Sequence, residues 1–410
     1  MTVTRLRYLL HPREVTDRTS LQVLSVYRDH GVVPKESRSD NYNKTPEDIT
    51  RYQEVRVGDL VVNKMKAWQG SVGISAHRGV VSPDYLVCSV SPEADSRFFH
   101  HLLRSAPLAS EFGARSKGIR PAQWRLYWED LAEICVTLPP LDEQRRIADF
   151  LDAETTRIDK LRHTTNLQVS VLEKRRIEQF RAATTGSFAV CTRGTNVAWM
   201  PRMSRAWTLF KVGRVFLTGS GTTPRSSEPR YFDGPHRWIN TGDLRDGPVA
   251  SSQKLVSDAA LRDYSALRIY PAGTLMVAMY GATTGRVGIN AVPACVNQAC
   301  CALTSTGILD TTYAFYWLLA HRSEILRLAS GGGQPNISQD LVRMLRIPAP
   351  ESPGEQQYIV NQCDEINSQS SAQQAQLIQR SSLLAERRQA LITAAVAGQI
   401  DVTTAGGASA

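Results

Sequence analysis

Few residues in this 410-residue sequence are spaced for bond-making chemistry. The pair His100-His101 sits in the run FFHHLL, with no carboxylate or cysteine at ligand spacing, so it reads as a surface or core-edge pair and not as a metal site. The cysteines (Cys88, Cys135, Cys191, Cys295, Cys300, Cys301 and Cys363) are odd in number and form no Cys-x-x-Cys unit, which points to neither a disulfide framework nor zinc. The glycine-containing stretch GATTGRVG (281–288) lies in a strand–turn–strand context and not at the opening of a helix, and no G-x-x-x-x-G-K-[ST] loop cradles a phosphate. Nothing matches the Asn/Asp-Pro-Pro-aromatic motif of amino-methyltransferases. The expectation is a chain with no catalytic residue, no metal and no cofactor of its own.

The sequence does offer cations, amides and aromatics on loops, the residue types that reach phosphates and base edges. In the second half, Thr222, Thr223, Arg225 and Arg230 lie on a Gly/Pro/Ser-rich loop, and Tyr280, Thr283, Thr284 and Arg286 lie between two strand-like runs. Gln334, Asn336 and Ser338 follow Gly331–Gly333, glycines that let a backbone pass close to a duplex. The equivalent positions in the first half are Lys64, Lys66, Trp68 and Gln69, then Arg115, Lys117, Arg120 and Gln123. Lys64 and Lys66 alternate with Met65 and Ala67, as on a strand edge facing an anion. Each of these residues is also at home on an ordinary solvated loop or strand face, and Trp68 suits a core or rim position as well as a stacked base.

Charge is distributed in step with these loops. The formal net charge is +9, and it falls in two blocks: residues 1–140 carry 19 basic and 16 acidic side chains, residues 187–353 carry 17 and 10. A polyanionic partner is favoured but not identified. The longest uncharged run, Val287–Leu309, is broken by Pro293, Asn297 and Gln298, and the first residues are charged throughout, so neither a membrane span nor a signal peptide is expected and the chain reads as cytoplasmic.

The elements that must position these loops are written twice. Residues 143–186 and 355–398 align without a gap at an offset of 212, with ten identities in 44 positions, among them Gln144/Gln356, Asp152/Asp364, Arg175/Arg387, Arg176/Arg388 and Gly186/Gly398. Upstream, VGDLVVNKMKAWQGSVGIS (57–75) aligns with AGTLMVAMYGATTGRVGIN (272–290), and FFHHLL (98–103) with FYWLLA (315–320). A half-chain period means two copies of a domain plus a helix, not a solenoid. The fold class expected is α+β: two mixed strand-rich domains in tandem, each followed by a long helix, the helices pairing as an antiparallel coiled coil.

Pro139-Pro140 and Pro353-Gly354 precede the helices, acidic residues open them and glycine closes them. Steps of four and three residues select the seam Ile147, Leu151, Ile158, Leu161, Leu172 and Arg175 on the first helix. On the second they select Ile359, Ile366, Leu377, Leu384 and Arg387. At 1.5 Å per residue each helix would span roughly 65 Å and hold two domains well apart. The boundaries read as a domain over 1–140, a spacer helix over 141–186, a linker over 187–206, a second domain over 207–353, a second spacer helix over 354–398 and a flexible tail over 399–410.

This order, with LPPLDEQRRIADFLD opening one helix and EQQYI the other, resembles the specificity subunit of type I restriction-modification systems over essentially the whole chain. So do MPRMSRAW, SGTTPRSSEPRYFDGPHRWINTGDL, YPAGTLMVAMYGATTGRVGIN, VNQACCAL and SGGGQPNIS in the second half. The first domain departs from the pattern at its start, lacking an SGxTP segment and an entry like Pro201–Trp207. The resemblance implies a non-catalytic DNA reader. Each domain would be a target-recognition domain for one half of a bipartite sequence in double-stranded DNA. The paired helices would be the spacer and the dock for two methyltransferase (modification) subunits, which restriction subunits can join; S-adenosylmethionine, ATP and magnesium would be bound by those partners. The alternative is a coiled-coil adaptor or protein-binding scaffold without DNA specificity.

Overall fold

The computed structural model describes residues 2–28, 30–37, 44–119, 124–187, 191–329 and 335–402. Two continuous helices, Leu141–Thr185 and Pro353–Val396, run through it. The chain divides into two compact units that cut across both helices: Met1–Asn166 with Ile378–Ala410, and Leu167–Leu377. Each unit is one strand-rich domain packed on half of each helix.

In the first unit, the strands Leu10–Pro12, Tyr85–Val90, Leu60–Asn63 and Val72–Ile74 form an antiparallel sheet in that order. The paired strands Gln53–Val55 and Gly79–Val81, and the hairpin Leu24–Tyr27 with Gly31–Pro34, complete its strand-rich part. The helix Ser96–Leu103 buries Phe98, Phe99 and Leu103 against Leu60 and Val72, and the same core takes in Ile147, Ala148 and Leu151 from one long helix and Ile392 and Ala395 from the other. In the second unit, a five-stranded sheet runs Phe216–Ser220, Cys300–Ser305, Leu275–Ala278, Val287–Asn290, Gly247–Val249. The helix Thr311–Ala320 is buried nearly all round, so it has no polar face: Tyr313 and Trp317 join Phe180, Ile359, Val360 and Cys363 in one core.

The domains open alike. Thr2–Arg5 pairs with Cys135–Leu138, and Thr208–Lys211 with Arg346–Ala349, so in both the first strand lies against the last. A one-turn helix follows in each, Leu6–Leu9 and Val212–Val215, then the edge strand of the main sheet. The first domain therefore keeps this entry while lacking the SGxTP segment. Residues 187–206, expected as a linker, carry the hairpin Thr192–Val197 with Met200–Ser204, and Met200 and Met203 are buried. The tail expected at 399–410 lies outside the described residues from 403 onwards.

Several of the repeated identities are joints. Gln144 and Gln356 are 1% and 2% exposed. The Gln144 amide donates to the carbonyls of Glu93 and Pro139 and accepts the Asp95 N–H, and Gln356 does the same with Ile308, Pro350 and Asp310. Asp95 and Asp310 in turn cap the domain helices through their side chains. Each glutamine thus ties the opening turn of a long helix to the opening of a domain helix. Gly186 and Gly398 close the long helices in left-handed conformation (φ 63° and 69°), which a side chain would strain.

Aspartates about two turns further into the long helices form a second joint. His101 Nε2 lies 2.8 Å from Asp152 Oδ1, and the Tyr316 hydroxyl donates to Asp364. His101 therefore corresponds to Tyr316 at an offset of 215, the offset already seen between the strand pairs. FFHHLL pairs in space with YAFYWL (313–318) and not with FYWLLA: the two aromatic runs resemble each other two residues out of register, and the capping aspartates settle the alignment.

Candidate nucleic-acid interface

In the second domain the candidate residues gather at one end of the five-stranded sheet. Strand Phe216–Ser220 ends opposite Cys301, and Leu275–Ala278 ends opposite Cys300, so loops 221–223 and 279–286 leave the same edge. The segment 335–338 is stitched to that edge by Ile337 N–H donating to Met279 O at 2.8 Å and by Thr284 Oγ1 donating to Pro335 O at 3.2 Å. Tyr280 and Arg286 are exposed there, as are Thr223 and Asn336; Thr222 and Thr283 are half-buried.

Other candidates at this edge have structural work. The Thr284 hydroxyl also donates to Gly281 O at 2.6 Å, closing the turn. Ser338 Oγ accepts the Leu341 N–H and caps the helix Gln339–Met344. Arg230 lies across the Tyr231 ring and is held by Glu228 and Asp263, while the Arg225 N–H donates to the Tyr264 hydroxyl; both touch aromatics of the smaller core around Tyr231 and Trp238. Gln334, with Gly331–Gly333, lies outside the described residues.

In the first domain, Lys64 and Lys66 do not alternate on a strand. The strand stops at Asn63, whose Oδ1 accepts the N–H groups of Met65 and Lys66 and folds the chain into a turn, followed by a 3₁₀ turn at Ala67–Gln69. Lys66 and Gln69 are exposed on this turn and Lys64 is half-buried. Trp68 packs edge-on against Trp124 and donates its indole N–H to Met65 O, so it is a half-buried rim aromatic. Lys117 pairs with Asp130 at 2.7 Å and Arg115 with Glu111 at 3.1 Å. Arg120 and Gln123 lie outside the described residues.

Beside the turn, Lys35, Lys44 and Tyr52 join Lys66, Asn63 and Asp84 around a concavity of about 540 Å³. Nothing in the spacing of Lys35 and Lys44 singled them out; only their charge could have. Behind this face the first domain is braced by buried carboxylates. Arg78, Arg56 and Arg13 converge on Glu54, whose carboxyl is held below its ordinary range by the Arg78 hydrogen bond.

The helix seam keeps eight of its eleven expected positions and shifts the other three by one residue. Ile147, Leu151, Ile158 and Ile359 are buried, and Leu172, Ile366, Leu377 and Leu384 are half-buried. Leu161 is 39% exposed, and Arg175 and Arg387 face solvent. The residues after them turn inwards. Within the second unit, Arg176 donates to Asn367 at 2.9 Å and pairs with Glu173, which accepts from Gln374. Within the first, Arg388 donates to Asp159 at 3.2 Å. From Leu151 the seam steps four then three, through Thr155, Ile158, Arg162 and Thr165, and the opposite phase exchanges each alternate residue for its neighbour. The polar members are satisfied locally: Thr155 and Thr165 hydroxyls donate to the carbonyls four residues back. In both units the partners run antiparallel, as expected.

Burial pushes the Cys88, Cys301 and Cys363 thiols up to about 12 and keeps them protonated. Among the described residues no group of three His, Cys, Asp or Glu is placed to hold a metal ion, and no helix is long and apolar enough to cross a membrane.

Residues 204–380 match the family model described as the type I restriction modification DNA specificity domain. The second half of the chain is thus similar to a type I DNA specificity domain. The family resemblance read from the motifs holds. A curated relative, the type I restriction enzyme MjaIX specificity subunit of Methanocaldococcus jannaschii, is 27% identical over 163 residues, which is 38% of this chain and 37% of that protein. The match thus spans little more than a third of the curated relative's length. Fold similarity reaches further. A chain in a solved structure concerned with complex assembly and conformational transition of the type I R-M system superposes with a TM-score of 0.71 at 17% identity, over 96% of this chain and 97% of that one. The HsdS subunit from Thermoanaerobacter tengcongensis gives a TM-score of 0.51 at 18% identity, over 97% of each chain. The shared fold, a strand-rich domain followed by a long helix and then repeated, therefore covers the first half as well, where the family model does not reach.

Proposed function

We propose that this chain is the DNA-reading subunit of a type I restriction-modification complex in the cytoplasm. Each domain reads one half of a bipartite target in double-stranded DNA, and the helix pair docks two methyltransferase subunits, which restriction subunits join. The chain itself is non-catalytic; S-adenosylmethionine, ATP and magnesium are held by the partners. The observation that carries this reading is the contrast inside the repeat. The joints at Gln144/Gln356 and Gly186/Gly398 recur residue for residue, while the loops at the sheet end, Thr222–Arg230 and Tyr280–Arg286 in the second domain, have no matching chemistry at Lys64–Gln69 in the first. A frame kept constant around two different surfaces is what reading two different half-sites requires.

The test is a domain exchange. Replacing residues 207–346 with the matching domain of a relative, in a host that also expresses the methyltransferase, should change one half of the methylated motif and leave the other intact. A change in both halves, or none, overturns the assignment. Binding that ignores salt would favour a protein-binding scaffold, because a DNA reader's affinity falls steeply as salt rises.

A further inference from the structure

The first unit contains a cleft of about 760 Å³ between its domain and its two half-helices. Four arginines line it: Arg28 from the hairpin, Arg104 beyond the helix Ser96–Leu103, Arg162 from the central helix and Arg388 from the C-terminal helix. Asp159 is the one carboxylate among the lining residues described, and it serves two of the arginines, at 3.2 Å from Arg388 and 3.9 Å from Arg162. Arg162 Nε is buried without a hydrogen-bond partner. The same cleft presents Trp68, Ile392 and the Gln69 amide.

We propose that this cleft binds a nucleoside polyphosphate, its phosphates on the arginines and its base against Trp68 and Ile392. Guanidinium forks match phosphate oxygens in charge and geometry. An indole and an aliphatic side chain suit a planar base, and an amide reads its edge. The size falls within the roughly 300–1,000 Å³ typical of small-molecule sites. A duplex carries its phosphates on a convex surface and could offer such a concavity a single backbone phosphate at most.

The two units differ at the positions that line this cleft. At the offset of 215, His100, Arg104 and Ala106 correspond to Phe315, Leu319 and His321, and at the helix offset of 212 Arg162 corresponds to Gln374. There the second unit is filled. Trp199 from the hairpin packs on Trp317 and His321, with ring centroids 5.8 and 5.5 Å apart. One half of the molecule plugs this position with aromatics; the other lines it with cations.

The experiment is calorimetric titration of the full chain with ATP, followed in parallel by quenching of Trp68 fluorescence, with Trp68→Phe as the control. Two substitutions separate charge from shape. Arg162→Gln should weaken ATP binding roughly tenfold or more, Arg162→Lys should retain most of it, and Ala109→Phe, which fills the cleft without altering charge, should also weaken it at least roughly tenfold. Binding no tighter than about 1 mM, or unaffected by Ala109→Phe, overturns the proposal. So does displacement of ATP by target duplex with the same loss of duplex affinity in Arg162→Gln, which would make the cleft a contact for a DNA phosphate. The domain-exchange test leaves this unit untouched, so the two readings fail independently.

Discussion

The two units share a frame and differ in what they do with the space around it. In both, a buried glutamine and a helix-capping aspartate lock a long helix to a domain helix, and an aspartate about two turns on accepts a hydrogen bond from that helix. Around these joints the second unit is hydrophobic and closed: Phe315, Trp317 and His321 are buried, and Trp199 of the hairpin packs on the last two. The first unit is more highly charged, with Glu54 gripped by arginines beneath its face and an arginine-lined cleft at its helices. Most residues that recur in sequence thus hold the parts together, and, Arg388 apart, the residues that could read a ligand are those that do not recur. Identity within the repeat marks mechanics, and divergence marks function.

The comparison breaks most readily at the glutamines, where the largest effect is expected. Gln144→Leu leaves two buried carbonyls and an N–H without partners, and should cost the first unit about 3 kcal/mol or more. Gln356→Leu should do the same to the second unit only. Hydrogen exchange read separately over the two units in each variant checks this. If both variants protect like the parent, the recurring glutamines are not joints.

Next in size is a pH effect that each unit should show through its own buried histidine. Burial, only partly offset by the hydrogen bond to Trp317 O, lowers His321 to about 4, and burial together with Arg104 lowers His100 to about 3. Unfolded, both titrate near the ordinary value of about 6.5. A depressed folded value means that the stabilisation is complete above about pH 6.5 and is lost as pH falls towards 4. For the sealed His321 this amounts to about 3 kcal/mol. His100 is depressed at least as far, so the first unit should lose a comparable amount over the same range. Urea titrations between pH 7 and 4 should therefore show both units weakening, and His321→Phe, which keeps the stack on Trp317, should flatten the slope of the second unit alone. Equal slopes in parent and variant would contradict the assignment.

Much of the frame was legible because repetition needs no knowledge of contacts: the offset of 212 located both helices and their glycine closures from identities alone. What failed was phase. Steps of three and four around a helix differ by one residue, and with polar seam positions such as Thr155 and Arg162 there was no apolar signal to choose between them; exposed Leu161 drew the seam the wrong way. Aromatic composition misled the domain-helix alignment by two residues for a similar reason, since FYWLLA resembles FFHHLL more than YAFYWL does. At the candidate interface, Ser338 and Thr284 look like contact residues in sequence because hydroxyls that cap helices and close turns are the same hydroxyls that meet phosphates. Lys35 and Lys44 carried no pattern at all.

The phase shift makes its own prediction. Arg176→Ala and Arg388→Ala remove inter-helix contacts and should each cost about 1 kcal/mol, while Arg175→Ala and Arg387→Ala should stay within about 0.5 kcal/mol of the parent. Thermal unfolding of the four variants settles which arginine of each repeated pair faces the partner helix; equal effects within a pair would return the seam to its original phase.

The smallest expected effect distinguishes reading residues from bracing residues within one domain. Arg286 is exposed on the loop that leaves the sheet end, whereas Arg230 is held by Glu228 and Asp263 and lies across Tyr231. If Arg286 meets a phosphate when the chain binds DNA, Arg286→Ala removes one displaced counterion and lowers the slope of log affinity against log salt by about 1, with no change in folding. Arg230 must give up its carboxylates before it can meet a phosphate, so Arg230→Ala should leave the salt slope nearly unchanged and instead loosen the small core around Tyr231. Affinities for a target duplex at several salt concentrations, measured alongside thermal unfolding, separate the two outcomes. A slope change in Arg230→Ala equal to that in Arg286→Ala would mean that the ion pairs around Glu228 open on binding, and the division between frame and reading surface would then have to be redrawn inside the second domain.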